Sequence, residues 1–308
     1  LRREGILVRR FDAPRIDLPA LRAWLASRPS GTGRLPVVTA GVRATAGRID
    51  GGACRIEALR VSVPRLDPEA PLRARAAGRY ASDALRAPFS LATTLQRPAS
   101  GRGFGLAGAI APDTDKWRLA AWVTLSGALH WTPSLQLLPM RLGATGRIAT
   151  ATSDDRFTLG AHGPLRVRDG AWTLLPARIV LRGDGLVPWL DAGGRAALGQ
   201  RLVFQLDGRL ARGPDAWPAL PPPLDDRGVP LALGLDYRGR RDLSSPLALR
   251  ASRDGARFDG RLDVPALLDW NARRDSPLPP LQGRLEADAL EIAGARLRDV
   301  VVDFGDAQ

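Results

Sequence analysis

The last part of the chain alternates between apolar and charged residues, and this alternation restricts the folds that the chain can adopt. A period of two is typical of a β-strand with one buried face, because successive side chains point to opposite sides of a sheet. Residues 293–296 have the length and the glycine of a hairpin connection, so the sequence predicts two antiparallel strands around them. The apolar residues of these strands, largely at every second position, are Leu285, Ala287, Leu290, Ile292, Leu297, Val300, Val302 and Phe304.

A short helical segment is predicted just before these strands. The strand RFDGRLDV at 257–264 leads into Pro265, which suits the first turn of a helix, and Asp263 is placed to cap the helix N-terminus. The proline-rich residues 276–280 cannot continue a helix or a central strand, so a new strand is expected to begin at Leu281.

The same order of elements occurs near the start of the chain. RIDLPALRAW at 15–24 matches RLDVPALLDW at 261–270, and each copy is followed by a linker rich in Ser, Pro or Gly and then by a hairpin, which in the early copy spans 42–63. Residues 186–190 resemble a third, looser copy. This self-similarity indicates a repeated supersecondary unit.

Short strands separated by turn signals recur along the rest of the sequence, with Asp169-Gly170 as the strongest hairpin signal. The sequence therefore predicts an all-β fold: a long, curved antiparallel sheet, groove-like or half-barrel-like, with short Pro-led helical turns. We expect residues 1–308 to form a single elongated β-rich region, or two halves, 1–213 and 224–308, joined by the Pro-rich stretch 214–223.

The charge of the chain is strongly basic, with 45 Lys and Arg against 32 Asp and Glu, a formal net charge of +13. Such a charge raises nucleic acid or an anionic membrane surface as a partner. Lys116 is the only lysine, and the arginines occur singly along the predicted strands, with no basic arm. This spacing is typical of solvated strand faces, so we expect no nucleic-acid partner.

The glycine motif and the histidines of the sequence give no sign of catalysis. Gly103, Gly105 and Gly108 match the spelling of a dinucleotide-binding motif, but a proline soon afterwards leaves no room for the helix that the motif requires. His130, predicted in a strand with its ring partly buried, and His162, predicted in a turn, are the only histidines, and their spacing matches no metalloenzyme motif.

The carboxylate pairs and the single cysteine also predict structural roles. Asp154-Asp155 and Asp225-Asp226 lie next to predicted turns, where Asp bonds to local backbone groups, so both pairs are expected in solvated turns. An enzyme acting on glycans or anionic polymers would need such carboxylates clustered in a pocket. Cys54 can form neither an internal disulfide nor a cysteine-based metal site. We therefore expect no enzymatic activity, no cofactor and no metal.

The closing stretch resembles a known family. A strand, a Pro-led apolar segment, a Pro-rich linker and the pattern G-x-L-x-A-x-x-L-x-I-x-G-x-x-L-x-x-V-x-V at 283–302 are similar to the C-terminal region of AsmA-like proteins. The resemblance covers roughly the last quarter of the chain and reaches its start through the internal repeat. It implies a bacterial envelope protein with a β-rich periplasmic body, held at the inner membrane by an N-terminal helix.

The resemblance also implies a role in outer-membrane biogenesis and in phospholipid transport or homeostasis, as in bridge-like lipid transfer proteins, whose curved sheet forms a groove with an apolar floor. The expected partner is a phospholipid or another acyl-chain lipid. The alternative is a protein–protein interaction module of an envelope or secretion assembly, with envelope proteins as partners. The candidate lipid-binding residues are Leu285, Leu290, Ile292, Leu297, Val300 and Val302.

Membrane attachment is expected to come from a segment that precedes Leu1. No run of 18 or more apolar residues occurs, and the chain opens at Leu1 in the middle of a strand-like pattern, with no signal-peptide profile. We therefore expect a periplasmic chain that an N-terminal helix anchors to the inner membrane.

Overall fold

The chain folds into seventeen β-strands and one α-helix within the part that the structure, a computed structural model, describes. That part comprises residues 16–17, 41–50, 54–65, 70–83, 85–96, 103–130, 134–168, 171–213, 229–273, 280–292 and 295–305. The predicted all-β class is confirmed. Two compact units are present, Leu1–Pro133 and Ser134–Gln308.

The unit Leu1–Pro133 contains the first seven strands. From β2 to β7 each strand pairs with the next in antiparallel order, which confirms the early hairpin as β2 and β3. β1 joins β2 by a short parallel pairing. The strands are β1 (Ile16–Asp17), β2 (Val42–Asp50), β3 (Cys54–Val63), β4 (Leu72–Ser82), β5 (Arg86–Leu95), β6 (Phe104–Ile110) and β7 (Arg118–His130).

The unit Ser134–Gln308 contains ten strands and α1 (Val264–Arg273). Each strand pairs antiparallel with the next, and among the described residues β8 and β17 do not pair, so the sheet is open and not a closed barrel. The strands are β8 (Leu135–Ala149), β9 (Asp154–Arg168), β10 (Ala171–Gly183), β11 (Trp189–Leu198), β12 (Leu202–Arg212), β13 (Leu231–Gly239), β14 (Leu247–Arg253), β15 (Ala256–Leu262), β16 (Leu281–Ile292) and β17 (Ala295–Phe304).

The alternation in the sequence becomes an alternation in exposure. In β14, Leu247, Leu249 and Ala251 are partly buried, whereas Ala248 and Arg250 between them are exposed. The apolar side chains thus gather on one face of the sheet, where removing them from water contributes about 25 cal/mol per Å² of apolar surface.

The helix α1 begins as the sequence predicts. The Asp263 carboxylate accepts a hydrogen bond from the Ala266 backbone N–H at 2.8 Å, so Asp263 is the N-cap and Pro265 lies in the first turn. Trp270 is buried, with 7% of its surface exposed. The helix has ten residues and is therefore longer than the segment that the sequence predicts. The earlier Pro-led copy at 18–40 lies outside the described residues.

The prediction of a third Pro-led turn at 186–190 is wrong. The Val187 N–H donates to the Asp184 carbonyl at 2.9 Å, so a turn without a helix spans 184–187, and Trp189 begins β11 with 40% of its surface exposed. Its indole N–H donates to the Gly183 carbonyl at 3.0 Å, and the guanidinium groups of Arg182 and Arg212 each lie 5.8 Å from its ring centroid. Cation–π contact therefore holds this tryptophan at the surface.

The boundary between the two units lies at 133/134, and the predicted linker 214–223 lies outside the described residues. β12 and β13, on either side of that linker, pair continuously from Leu202↔Gly239 to Leu210↔Leu231. The sheet of the second unit thus runs through this point of the chain without a break in its pairing.

The β14–β15 hairpin turns on Asp254 and Gly255, with φ values of +44° and +74° and with Arg253 paired to Ala256. Two central residues with positive φ are typical of a type I′ turn, for which Asp-Gly is a preferred pair. Asp169-Gly170 lies outside the described residues, but Arg168 and Ala171 on either side of it pair, as a two-residue hairpin requires.

Gly255→Val is expected to lower the free energy of unfolding by at least about 1–2 kcal/mol, because a side chain in the left-handed region strains the backbone and its Cβ would also collide with the Asp288 carboxylate. Urea denaturation measures the change. Gly160→Val is the matched control, since a Cβ at Gly160 in β9 would meet no atom within 4 Å. Equal losses for both variants would contradict the assignment of the strain to the turn.

Candidate functional site

A continuous row of apolar residues crosses all ten strands of the second unit. Each member pairs with the next across neighbouring strands, so all of them lie on one face of the sheet. We call these residues the apolar row: Leu142, Ala161, Ile179, Ala192, Gly208, Leu233, Ala251, Phe258, Leu285 and Val302.

The neighbouring positions on this face are apolar as well. Leu206, Leu235 and Leu249 follow one another across β12, β13 and β14. A core cluster of Leu190, Ala192 and Leu206, with Ile179 and Leu233 among the side chains packed against it, lies on the same face. The core of the unit and the apolar row are therefore one surface.

The apolar row is not fully covered. Of its ten members, only Ala161, Ala192 and Leu285 are buried, at 9%, 7% and 7% exposure, and the others are partly exposed. In the described part of this unit all strands belong to one sheet, and α1 is the one further element. A filled sandwich would bury such a row between two sheets. Within the described part of this unit, the face is instead a single apolar layer that remains partly exposed.

The opposite face of the same sheet is charged. The positions next to the apolar row carry Arg141, His162 and Arg178 on β8 to β10, and Arg284 and Asp303 on β16 and β17. Exposed ion pairs join this face across strands, such as Arg250 with Asp207 at 3.4 Å and Arg284 with Asp303 at 4.0 Å. Such pairs contribute at most about 1 kcal/mol each, so their main effect is to keep this face wet.

The structure places the candidate lipid-binding residues in two groups. Leu285 belongs to the apolar row, Val302 is its partner across β16 and β17, and Val300 pairs with Ala287 beside them. Leu290 is buried at 2% exposure and pairs with Leu297, which is 45% exposed. Ile292 ends β16, and its side chain lies outside the described residues.

Between these two groups of candidate residues, the regular alternation of buried and exposed positions along β16 is interrupted. Ala287 and Leu290 are both buried although they are three positions apart, and Asp299 on the facing strand has a φ of +50°. A residue in the left-handed region interrupts the regular pleat and changes which positions face inward. The three-residue spacing between Leu297 and Val300 in the sequence reflects the same interruption.

The candidate lipid-binding residues all come from the two closing strands, so they leave out most residues of the apolar face. Leu142, Ile179, Leu233 and Phe258 lie in the apolar row, on strands distant in sequence from β17. Their alternation is visible in the sequence, but the register that aligns them is set by turns and bulges between strands. Alternation alone therefore identifies the faces but not the row.

The residues considered for catalysis do not assemble. Gly103, Gly105 and Gly108 lead into or lie within β6, with no helix at their end. The prediction of a turn at His162 is wrong: it is exposed in β9 and pairs with Arg141 and Arg178. His130 ends β7 and is exposed, not partly buried as predicted. Among the described residues, no three His, Cys, Asp or Glu side chains lie close enough to hold a metal ion.

The prediction of a solvated turn at Asp154-Asp155 is wrong for Asp155, and Asp225-Asp226 lies outside the described residues. Asp155 is in β9 with 9% exposure, and its carboxylate accepts the Leu186 backbone N–H at 3.1 Å. Gly185 beside it has a φ of +57°. The carboxylate thus fastens the turn between β10 and β11.

Asp155→Ala is expected to lower the free energy of unfolding by about 1–3 kcal/mol, because it leaves the Leu186 N–H without its acceptor. Thermal or urea unfolding checks the loss. The control is Asp154→Ala, since Asp154 is exposed and pairs with Arg147 at 3.0 Å, an interaction of at most about 1 kcal/mol. A loss for Asp154→Ala as large as that for Asp155→Ala would contradict this role.

The described part of the chain contains no helix with the length and apolar character that crossing a bilayer requires. Comparisons of the chain with protein-family models, with curated proteins and with solved structures found no match.

Proposed function

We propose that the chain is a non-enzymatic, AsmA-like periplasmic protein that takes part in outer-membrane biogenesis and in phospholipid transport or homeostasis by binding acyl chains along its apolar sheet face. The observation that carries this proposal is the apolar row, which crosses ten paired strands without a charged member. The family resemblance of the closing stretch supplies the cellular setting.

The dimensions of the row suit a chain-like ligand. Neighbouring strands lie about 4.8 Å apart, so nine spacings extend the row to about 43 Å along the sheet. One leaflet of a bilayer contributes only about 15 Å of hydrocarbon, half of a core of about 30 Å. An acyl chain can therefore lie on the row along its full length.

The energetics favour acyl chains over polar ligands. Burial of each methylene contributes about 0.8 kcal/mol. An acyl chain that covers the exposed parts of the apolar row removes its own methylenes and those parts of the row from water, so both surfaces contribute to binding. The row offers no buried polar group to orient a head group, so it is suited to many chains and selective for none.

The charged face of the sheet also fits the proposed binding of acyl chains, because it keeps the side opposite the apolar row in contact with water. Arg250, Asp207, Arg284 and Asp303 keep the outer surface of the sheet hydrated. One sheet thus separates an apolar surface from water by the thickness of a single strand layer. A carrier of acyl chains through an aqueous compartment needs this separation.

Native mass spectrometry of the purified chain, followed by lipid extraction, tests the proposal. We expect adducts with phospholipid masses that persist through gel filtration. Absence of lipid together with a stable complex with an envelope protein would favour the interaction module instead. Absence of lipid together with hydrolysis of a glycan or an anionic polymer would overturn the non-enzymatic assignment.

A further inference from the structure

A second surface feature lies in the first unit, on the opposite face from its own apolar residues. An open hollow of about 560 Å³ extends across β2 to β7. Its floor consists of small residues, and Trp122 at one side is 56% exposed. A volume of this size is within the usual range of small-molecule sites. The floor residues are Ala77, Ser90, Ala92, Ala107 and Ala109.

Strand register explains why this hollow exists. Ala77 pairs with Ser90, Ser90 with Ala109, and Ala109 with Trp122, so one line of small side chains crosses four strands and ends at an indole. Solvated strand faces ordinarily carry long polar side chains. Here the small residues leave a depression with a largely apolar floor, and the exposed Trp122 lines one side of it.

Three arginines border the other side of the hollow. Arg43, Arg60 and Arg75 lie on the neighbouring strands β2, β3 and β4, and each is exposed. At about 4.8 Å between strands, Arg43 and Arg75 are about 10 Å apart at the backbone, with Arg60 on the strand between them. Flexible guanidinium groups at this spacing can converge on a single anion.

In the part of the chain that the structure describes, the carboxylates on this face do not pair with these three arginines. On this face the register of β2 to β7 places nine arginines and two carboxylates, Asp50 and Glu57, and a third carboxylate, Asp113, follows β6 in register with Arg86 and Arg118. Asp50 pairs with Arg48 at 3.2 Å and Glu57 with Arg55 at 3.7 Å. Within the described ranges, Arg43, Arg60 and Arg75 have no carboxylate at ion-pair distance.

None of the three arginines is paired directly with another, since Arg43 and Arg75 both pair with Ser62 and Arg60 pairs with Ala77. They are diagonal neighbours, within reach of long side chains, and an anion bound between them offsets their mutual repulsion. The arginine fork also matches the oxygen atoms of a phosphate group. The strands bulge beside this point, where Ala46 and Ala58 have φ values of +58° and +49°. Bulges of this kind often re-aim side chains next to binding sites.

We propose that this hollow binds a phosphate ester. The phosphate contacts Arg43, Arg60 and Arg75, and the uncharged part of the ligand lies on the alanine floor towards Trp122. Three strand spacings, about 14 Å, separate Arg75 from Trp122, so the floor accommodates a body of up to about that length, and a phosphate ester with a single aromatic ring is long enough to occupy its arginine end. The inference is independent of the acyl-chain proposal, since it concerns a different unit and a differently charged surface.

Titration of the full chain with phenyl phosphate, followed by calorimetry, tests the site. We expect saturable binding that weakens at least tenfold in Arg60→Gln/Arg75→Gln, because two charge-assisted hydrogen bonds are lost. The control is Arg86→Gln/Arg118→Gln, which removes the same charge from the same face outside the hollow and should leave the affinity unchanged. Circular dichroism confirms that both variants are folded.

Vesicles distinguish the source of the phosphate. If the ligand is a lipid head group, vesicles containing phosphatidylglycerol bind to the wild type, and phenyl phosphate competes with them, whereas pure phosphatidylcholine vesicles do not bind. If the ligand is a free phosphate ester, phenyl phosphate binds and neither vesicle does. Equal losses in the two double variants, or no saturable binding of phenyl phosphate, would overturn the proposal.

Discussion

Tyr237→Ala is expected to lower the free energy of unfolding of the second unit by about 3–5 kcal/mol, the usual loss when a large buried aromatic side chain is removed. Tyr237 is fully buried at 0% exposure, and its ring stacks on Phe204 with centroids 5.1 Å apart. Its hydroxyl donates to the Arg240 carbonyl at 2.6 Å. Urea denaturation, monitored by tryptophan fluorescence, measures the change.

Tyr237→Phe separates the two contributions of this residue. It keeps the ring and its stacking on Phe204 but leaves the Arg240 carbonyl without its donor, so a loss of about 1 kcal/mol is expected. A loss below about 1 kcal/mol for Tyr237→Ala would show that the ring is not part of the packed core at β12 and β13. Comparable losses for both variants would assign the effect to the hydroxyl instead.

Val302→Glu is expected to weaken acyl-chain binding about tenfold or more, because it places a charge at the end of the apolar row. Val302 is partly exposed and pairs with Leu285. A carboxylate there must either keep its water, which blocks the ligand, or lose it at a cost of more than about 1.4 kcal/mol, which is a factor of ten in affinity. Displacement of a fluorescent fatty acid measures the change.

The matched control for this prediction is the preceding residue on the same strand. Val301 is 51% exposed and pairs with Glu286 on the charged face, so Val301→Glu adds the same charge without touching the apolar row. Its affinity should equal that of the wild type. If both variants bind the fatty acid as the wild type does, the row does not hold the ligand at this end.

The sequence predicts the strands and their antiparallel order well, for a clear physical reason. Alternating exposure and the predicted Asp169-Gly170 hairpin, whose flanking residues Arg168 and Ala171 pair, are local properties that can be recognised without knowing distant contacts. The cap at Asp263 is equally local, and the structure confirms it.

What the sequence does not predict depends on register and on long-range contacts. The three-residue spacing between the buried Ala287 and Leu290 follows from the left-handed backbone of Asp299 on the facing strand. Asp155 is buried because it meets Leu186, a residue 31 positions away. Neither partner is visible from a local pattern.

The arginine-bordered hollow illustrates the same limit. Arg43, Arg60 and Arg75 occur singly in the sequence, a spacing typical of solvated faces. Only the pairing of β2, β3 and β4 places them side by side. Charge clusters in sheets are therefore easily missed when charges are counted along the chain.

The most direct test of the apolar row is site-specific photocrosslinking in cells, with benzoylphenylalanine in place of Ile179 or Val180. Ile179 is a member of the row, whereas Val180, 37% exposed, pairs with Asp191 on the opposite face. We predict phospholipid adducts on irradiation at position 179 and none at position 180. Equal crosslinking at both positions, or no lipid at position 179, would contradict the binding of acyl chains along this row.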